Sequence, residues 1–170
     1  MNFFLLFLDI NKLLNKERHV VELMVKETQF LLESLRGESE ATLLMDSVLS
    51  SKISNFEYLV QLDQDFSVVD DNGWNIVHFI VFASKDESEE MFRMFEKTKP
   101  DFAILINQFD NTGHAPIHYA AGYNNHTAIK TLFENGADMN LRSQKDNELP
   151  EEQKGCDEET IRLMQHYRQM

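Results

Sequence analysis

The sequence predicts an all-α solenoid, built from about three to four divergent helix-turn-helix units behind a flanking amino-terminal helix. Two observations carry that prediction. A frame that opens on an aspartate, reaches a glycine three residues later and then turns into an apolar helical segment occurs at Asp70 and again at Asp110. Counting 33 residues back from Asp70 lands on Gly37, where a third amphipathic stretch begins. A chain of 170 residues that is 42% hydrophobic has enough apolar material for one domain.

The first element is residues 1–36, read as a flanking helix with a short apolar cap. The run Phe3–Leu8 has no Lys or Arg before it and no small-residue cleavage site after it. It is also far short of the roughly 20 residues that span a bilayer. From Asn11 to Arg36 there is no Pro or Gly, and Val21, Met24, Leu31, Leu32 and Leu35 share one helical face before Gly37 offers a stop.

The repeat region is expected over 37–170, in units of about 37–69, 70–109 and 110–142 with a degenerate cap at 143–170. In the first unit Thr42, Leu44, Phe56 and Leu59 stand in register, without the Pro or the His of the later units. The second reads "DDNGWNIVHFIV", with Asp70, Gly73, Asn75, Ile76, Val77 and His78 in frame. Asn75 keeps a side-chain acceptor for the turn. The step from Gly73 to Gly113 is 40 residues, and the excess over 33 is assigned to "ASKDESEE" and "EKTKPDFAI" as loop insertions.

The third unit, "GHAPIHYAAGYNNHTAIKTLFENGADMN", is the most regular. Gly113 can supply the positive φ of a tight turn. Pro116 suits the first turn of a helix, where its missing N–H loses nothing. Ala120 and Ala121 allow close helix approach, and Gly136 ends the second helix as a left-handed cap. Ala115 to Ala120, Ala-Pro-Ile-His-Tyr-Ala, resembles the Thr-Pro-Leu-His-x-Ala signature of ankyrin repeats, and "GADMN" resembles that family's closing turn. The resemblance implies that His78 and His118 are structural, bonding backbone between adjacent turns. It covers about Gly37 to Met170 and thins after Arg142. There Pro150 is displaced and no His stands in frame, although Ile161, Leu163 and Met164 could line a last outer helix.

No catalytic constellation accompanies this frame. His114 and His126 have no third ligand at metal spacing, so neither a metal nor any other cofactor is expected. Lys154 could lower the thiol pKa of Cys156, but the neighbouring carboxylates oppose it. There is no phosphate-binding Gly-rich loop and no nucleophile elbow. A hydrolase built on His118 and Cys156 would need side chains that the repeat frame keeps apart. The lone cysteine and the absence of zinc spacing favour a reducing compartment, cytoplasm or nucleus.

The expected activity is protein binding. In ankyrin-like proteins contacts come from the turn tips and the ends of the inner helices. By register these are Asp71, Asn72, Trp74, Phe82 and Ala83 in the second unit, and Asn111, Thr112, His114, Gly122 and Tyr123 in the third. Trp74 falls at a tip that should be exposed, where it is either a binding anchor or packed against the next tip. Sixteen basic against twenty-nine acidic side chains give a formal charge of −13, which argues against direct nucleic-acid binding and suits a partner with a basic segment. The run Asp86–Glu90 is a solvated helix start or a docking site for such a segment.

In size, repeat number and charge the chain resembles the inhibitor-of-κB family, especially its truncated viral members, the vankyrins. The resemblance implies a monomer that sequesters a Rel-type transcription factor by masking its basic nuclear-localisation segment. The other reading is an adaptor or assembly module, such as a ubiquitin-ligase substrate adaptor, or the repeat fragment of a larger protein. Neither reading requires a membrane.

Overall fold

A computed structural model describes residues 40–62, 65–98 and 102–170. The expected amino-terminal helix, the Phe3–Leu8 run and the start of the first unit at Gly37 lie outside the described residues. Within them the chain is helical and holds no strand: α1 Leu43–Leu49, α2 Ile53–Leu59, α3 Ile76–Phe82, α4 Lys85–Thr98, α5 Phe102–Leu105, α6 Pro116–Gly122, α7 His126–Glu134, a 3-10 turn at Pro150–Glu152, and α8 Glu158–Arg168.

These elements form two layers. The first helix of each pair, α1, α3 and α6, stacks side by side with its neighbours, and the 3-10 turn continues that row. The second helices α2, α4, α7 and α8 form the outer row. Apolar residues between the rows make one core, with Leu44, Phe56, Ile80, Phe92, Ile117 and Leu132 at most 2% exposed.

The inner helices all begin in the same way. The residue before each helix is extended, and its backbone N–H is accepted by the side chain three positions on. Thr42 N–H reaches Met45 Sδ at 3.4 Å and Asn75 N–H reaches His78 Nδ1 at 3.3 Å. Ala115 N–H reaches His118 Nδ1 at 3.1 Å, and Leu149 N–H reaches Glu152 Oε2 at 2.7 Å. Each arrangement satisfies a donor that a helix start otherwise leaves unpaired. Thr42 and Asn75 also accept in return from the first turn, which Ala115 cannot do. There Pro116 at the first helical position sets φ instead.

Leu149 stands 34 residues after Ala115, which places Pro150 at the start of a fourth inner element. The expectation of a displaced Pro150 is corrected. Its position is in frame, and the irregularity is that the helix it opens lasts a single 3-10 turn before Gln153 returns to extended backbone. The expected loop insertions are corrected as well. The outer helix α4 runs to 14 residues against 9 in α7, and Phe102 of the additional α5 packs its ring on Phe92 and Phe95. The described part of the surplus buries aromatic surface, so it folds as helix where a polar insertion would have remained a loop.

The acidic run opens α4. Asp86 and Glu87 occupy its first turn, where the helix dipole favours negative charge. Ser84 Oγ donates to Glu87 at 2.7 Å, and Glu90 pairs with Arg93. At the other end of the array α8 docks by Met164, fully buried, and by Tyr167, whose ring stacks on Phe133 with centroids 4.3 Å apart. Arg168 donates to both oxygens of Glu151 at 2.6 Å and to the Met139 carbonyl at 3.1 Å, tying the last helix to the 3-10 turn and to the preceding unit.

Candidate protein-interaction face

The turn tips are built around Asp70 and Asp110. Asp70 Oδ1 accepts the N–H groups of Asn72 (2.9 Å) and Trp74 (2.8 Å), and Asp110 Oδ1 accepts those of Thr112 (2.8 Å) and His114 (3.0 Å). Gly73 and Gly113 sit at φ +80° and +81°, the left-handed region. A Cβ on Gly73 would lie 2.7 Å from Asn111 N, because the next tip packs directly on that glycine. Asn111 N–H donates to the Asn72 carbonyl and its side-chain amide to the Asp71 carbonyl, both at 2.9 Å, and Gln144 N–H donates to the Gly113 carbonyl at 2.8 Å. Successive tips are therefore joined by backbone hydrogen bonds. Asp71, Asn72 and Asn111 are exposed along their edge, and His114 is half-buried with Nδ1 2.9 Å from Thr112 Oγ1.

Asp110 has a second task. Its other oxygen accepts the Trp74 indole N–H at 2.8 Å and the Tyr119 hydroxyl, so a carboxylate 7% exposed holds the polar edges of two aromatic rings. Burial pushes the Asp110 pKa up, but hydrogen bonds from Tyr119, His114, Thr112 and Trp74 outweigh it and bring the pKa down to about 2.

Trp74 is thereby corrected from an exposed tip to a half-buried one. It stacks on Phe82 with centroids 4.7 Å apart, has His78 nearly parallel at 6.2 Å, and meets the Tyr119 ring edge-on at 5.1 Å. Of the two orientations open in the sequence, packing against the next tip is the one adopted. Phe82 continues the contact chain to Tyr123 at 4.8 Å and Tyr119 at 5.6 Å. The four rings form one strip, from Trp74 in the tip before α3 to Phe82 at the end of that helix, and on to Tyr119 in α6 and Tyr123 at its end. Phe82 is 36% and Tyr123 61% exposed, two of the five large apolar side chains exposed among the described residues. Leu49, 62% exposed, ends α1 at the corresponding place.

Beside the strip lies an open groove of about 410 Å³ lined by Thr112, His114, His118, Tyr119, Gly122, Tyr123, Gln153 and Lys154. It exists because the fourth inner element is one short turn where α6 has seven residues.

The two repeat histidines are buried. His78 Nε2 lies 3.3 Å from the His114 carbonyl of the next unit, and Nδ1 lies 3.3 Å from the Asn75 N–H and 2.9 Å from Asn75 Oδ1. Burial lowers its pKa to about 4, the largest of several influences, so the ring is neutral. His118 accepts from Ala115, and its pKa is lowered by burial first and then by His114. Burial, Glu151 and Asp157 push the Cys156 thiol pKa up, the opposite of an activated nucleophile. No group of three or more metal-ligating side chains occurs among the described residues. Nor, among them, is any helix long and apolar enough to cross a membrane.

Residues 44–143 match a family model described as ankyrin repeats in three copies. The chain belongs to the ankyrin-repeat family. Among solved structures it is similar to the ankyrin repeat domain of Bcl-3, described as a unique member of the IkappaB protein family, with a TM-score of 0.80. That likeness covers 94% of this chain and 71% of the other at 16% identity, which shows a shared fold. No curated protein matches the sequence.

Ankyrin arrays are protein-interaction scaffolds, with the tips and inner helices on their concave side. Of the ten contact positions singled out in the sequence, Trp74, Phe82 and Tyr123 come together in one strip, Thr112, His114 and Gly122 line the adjoining groove, and Ala83 caps α3. Asp71, Asn72 and Asn111 stay on the tip edge. Sequence reasoning missed Tyr119, which joins the strip to the groove, and Asp110, which orients it. A signal for both was present: Asp110 repeats Asp70, and Tyr119 stands four residues before Tyr123, one helical turn away on the same face.

Proposed function

We propose that this ankyrin array binds a protein partner on its concave side, with the strip of Trp74, Phe82, Tyr119 and Tyr123 at the centre and the tips of Asp71, Asn72, Asn111 and His114 at the edge. The observation that carries this reading is the strip itself. Large aromatic side chains, two of them held by a buried carboxylate, with Phe82 packed on both and Tyr123 packed on Phe82, offer contact area with little conformational entropy left to lose.

The finer reading is an inhibitor, monomeric and cytoplasmic or nuclear, that sequesters a Rel-type transcription factor through a basic segment. Its support is the likeness to the Bcl-3 domain together with a formal charge of −13. The units we assign to it are 37–69, 70–109 and 110–142, with a cap at 143–170. The test is binding of a purified Rel-homology protein, with and without its basic segment, to the native chain and to a Phe82→Ala, Tyr123→Ala variant of unchanged thermal stability. Loss of binding in the variant and in the partner lacking the segment is the expected result. Full binding by both would dispose of the inhibitor reading.

A further inference from the structure

The chemistry of the groove beside α6 narrows the kind of side chain it takes. This inference rests on the concave face being the binding face. Asp110 is ionised, nearly buried, and held by neutral donors only: Thr112, His114, Trp74 and Tyr119. Among the described residues it forms no salt bridge. Its negative charge is thus balanced by hydrogen bonds and by no cation, and it stands directly behind the Tyr119 hydroxyl.

A phenol that donates its proton to a carboxylate has a more electron-rich ring, and a carboxylate behind the ring adds to the negative potential of its face. Tyr119 is the ring so placed that also lines the groove. The Trp74 indole donates to the same carboxylate but stacks on Phe82 and is not among the groove-lining residues. Tyr123 and Phe82 extend the aromatic wall on the open side. The volume of about 410 Å³ is ample for a long side chain. Lys154 is the one permanent cation in the lining; it is exposed, on the wall opposite α6, and forms no ion pair among the described residues.

We propose that this groove receives an arginine side chain of the partner, with its guanidinium stacked on the Tyr119 ring between Tyr123 and the Thr112 end and its charge drawn toward Asp110. Arginine suits the place better than lysine. The guanidinium is flat, stacks on rings and gives up its hydration more readily than a compact ammonium ion. Tyr119 and Asp110 then divide the work, the ring making contact and the carboxylate setting the field and holding the ring.

The test uses the full chain and a short acetylated, amidated peptide of glycine and arginine, titrated by NMR at low salt beside the same peptide with citrulline, which keeps the shape and removes the charge. The arginine peptide is expected to bind roughly ten-fold more tightly, with shifts centred on Gly122 and Tyr123. Tyr119→Phe, which keeps the ring but frees it from Asp110, should weaken binding about three-fold, and Lys154→Glu should strengthen it by about as much. Equal binding of the two peptides, or none of either, overturns the proposal. Weaker binding by Lys154→Glu overturns it too, because the groove would then favour an anion. The same variants separate this proposal from the broader one when a protein partner is used. If Tyr119→Phe and Lys154→Glu have no effect while Phe82→Ala with Tyr123→Ala abolishes binding, the arginine site fails and the concave face stands. If none of the four matters, both fail.

Discussion

Asp110→Asn is the substitution with the largest consequence for the smallest change of shape. The amide oxygen can still accept from Thr112 and His114, but the amide nitrogen then faces the Trp74 indole N–H, which cannot accept, and the Tyr119 hydroxyl. The folded pKa of about 2 lies nearly two units below the ordinary aspartate value, which corresponds to about 2 kcal/mol of stabilisation at neutral pH. An indole donor left without an acceptor adds about 1–3 kcal/mol. The expected loss is therefore about 3–5 kcal/mol at pH 7, measured by urea unfolding followed through Trp74 fluorescence. A depressed carboxylate stabilises above its unfolded pKa, so the native chain should surrender about 2 kcal/mol between pH 4 and pH 2 that the variant no longer has to lose. A loss below about 1 kcal/mol at pH 7, or parallel acid profiles for the two proteins, would refute the role given to this carboxylate.

Further outcomes follow from the same structure. His78 has a folded pKa of about 4 against about 6.5 unfolded, so on acidification the unfolded chain takes up a proton that the folded one refuses. Stability due to His78 is complete above pH 6.5 and should fall by about 3 kcal/mol by pH 4. Burial raises the Asp46 pKa to about 6, which works in the opposite direction between pH 4 and 6, so thermal melts in an Asp46→Asn background are the clean comparison; a flat profile there would contradict the buried neutral ring. Gly73→Ala should cost about 2–4 kcal/mol, since it combines a left-handed φ with a methyl group 2.7 Å from Asn111 N. Equal melting temperatures would show that the tips are not in contact. Arg168→Ala leaves Glu151, whose side chain is 8% exposed, without its cation and should cost about 2–4 kcal/mol by chemical denaturation. Glu151→Gln with Arg168→Met should recover part of that loss.

The fold was legible because a few positions admit few residues. Gly73 and Gly113 must turn left-handed beneath the next tip, Pro116 must open a helix, and Ala120 and Ala121, both fully buried, must let neighbours approach. The fourth unit was harder to see because its signature had changed chemically while keeping its function. Glu152 accepts the N–H that a histidine accepts elsewhere, and Met45 does the same in the first unit through sulfur. Matching letters misses both; asking which side chain can accept a proton three residues after the cap finds both. The additional α5 was unreadable for another reason, since whether "FAIL" coils or packs depends on Phe92 and Phe95 arriving beneath it. At the candidate site the ring positions were visible but their orientation was not. That depends on a hydrogen bond across 36 residues, from Trp74 to Asp110, which no local pattern encodes.

The single turn at Pro150–Glu152 also determines what an occupant of the groove would hold together. In a linear stack each unit is held only by its neighbours, so a molecule that touches two units stabilises the contact between them. Here the fourth unit supplies Gln153 and Lys154, one wall of the groove. Anything seated against both walls must bridge the third unit and the fourth. An occupant would then act as a clamp on the carboxyl-terminal end, slowing amide exchange in α8 while leaving α1, at the far end of the row, as it was.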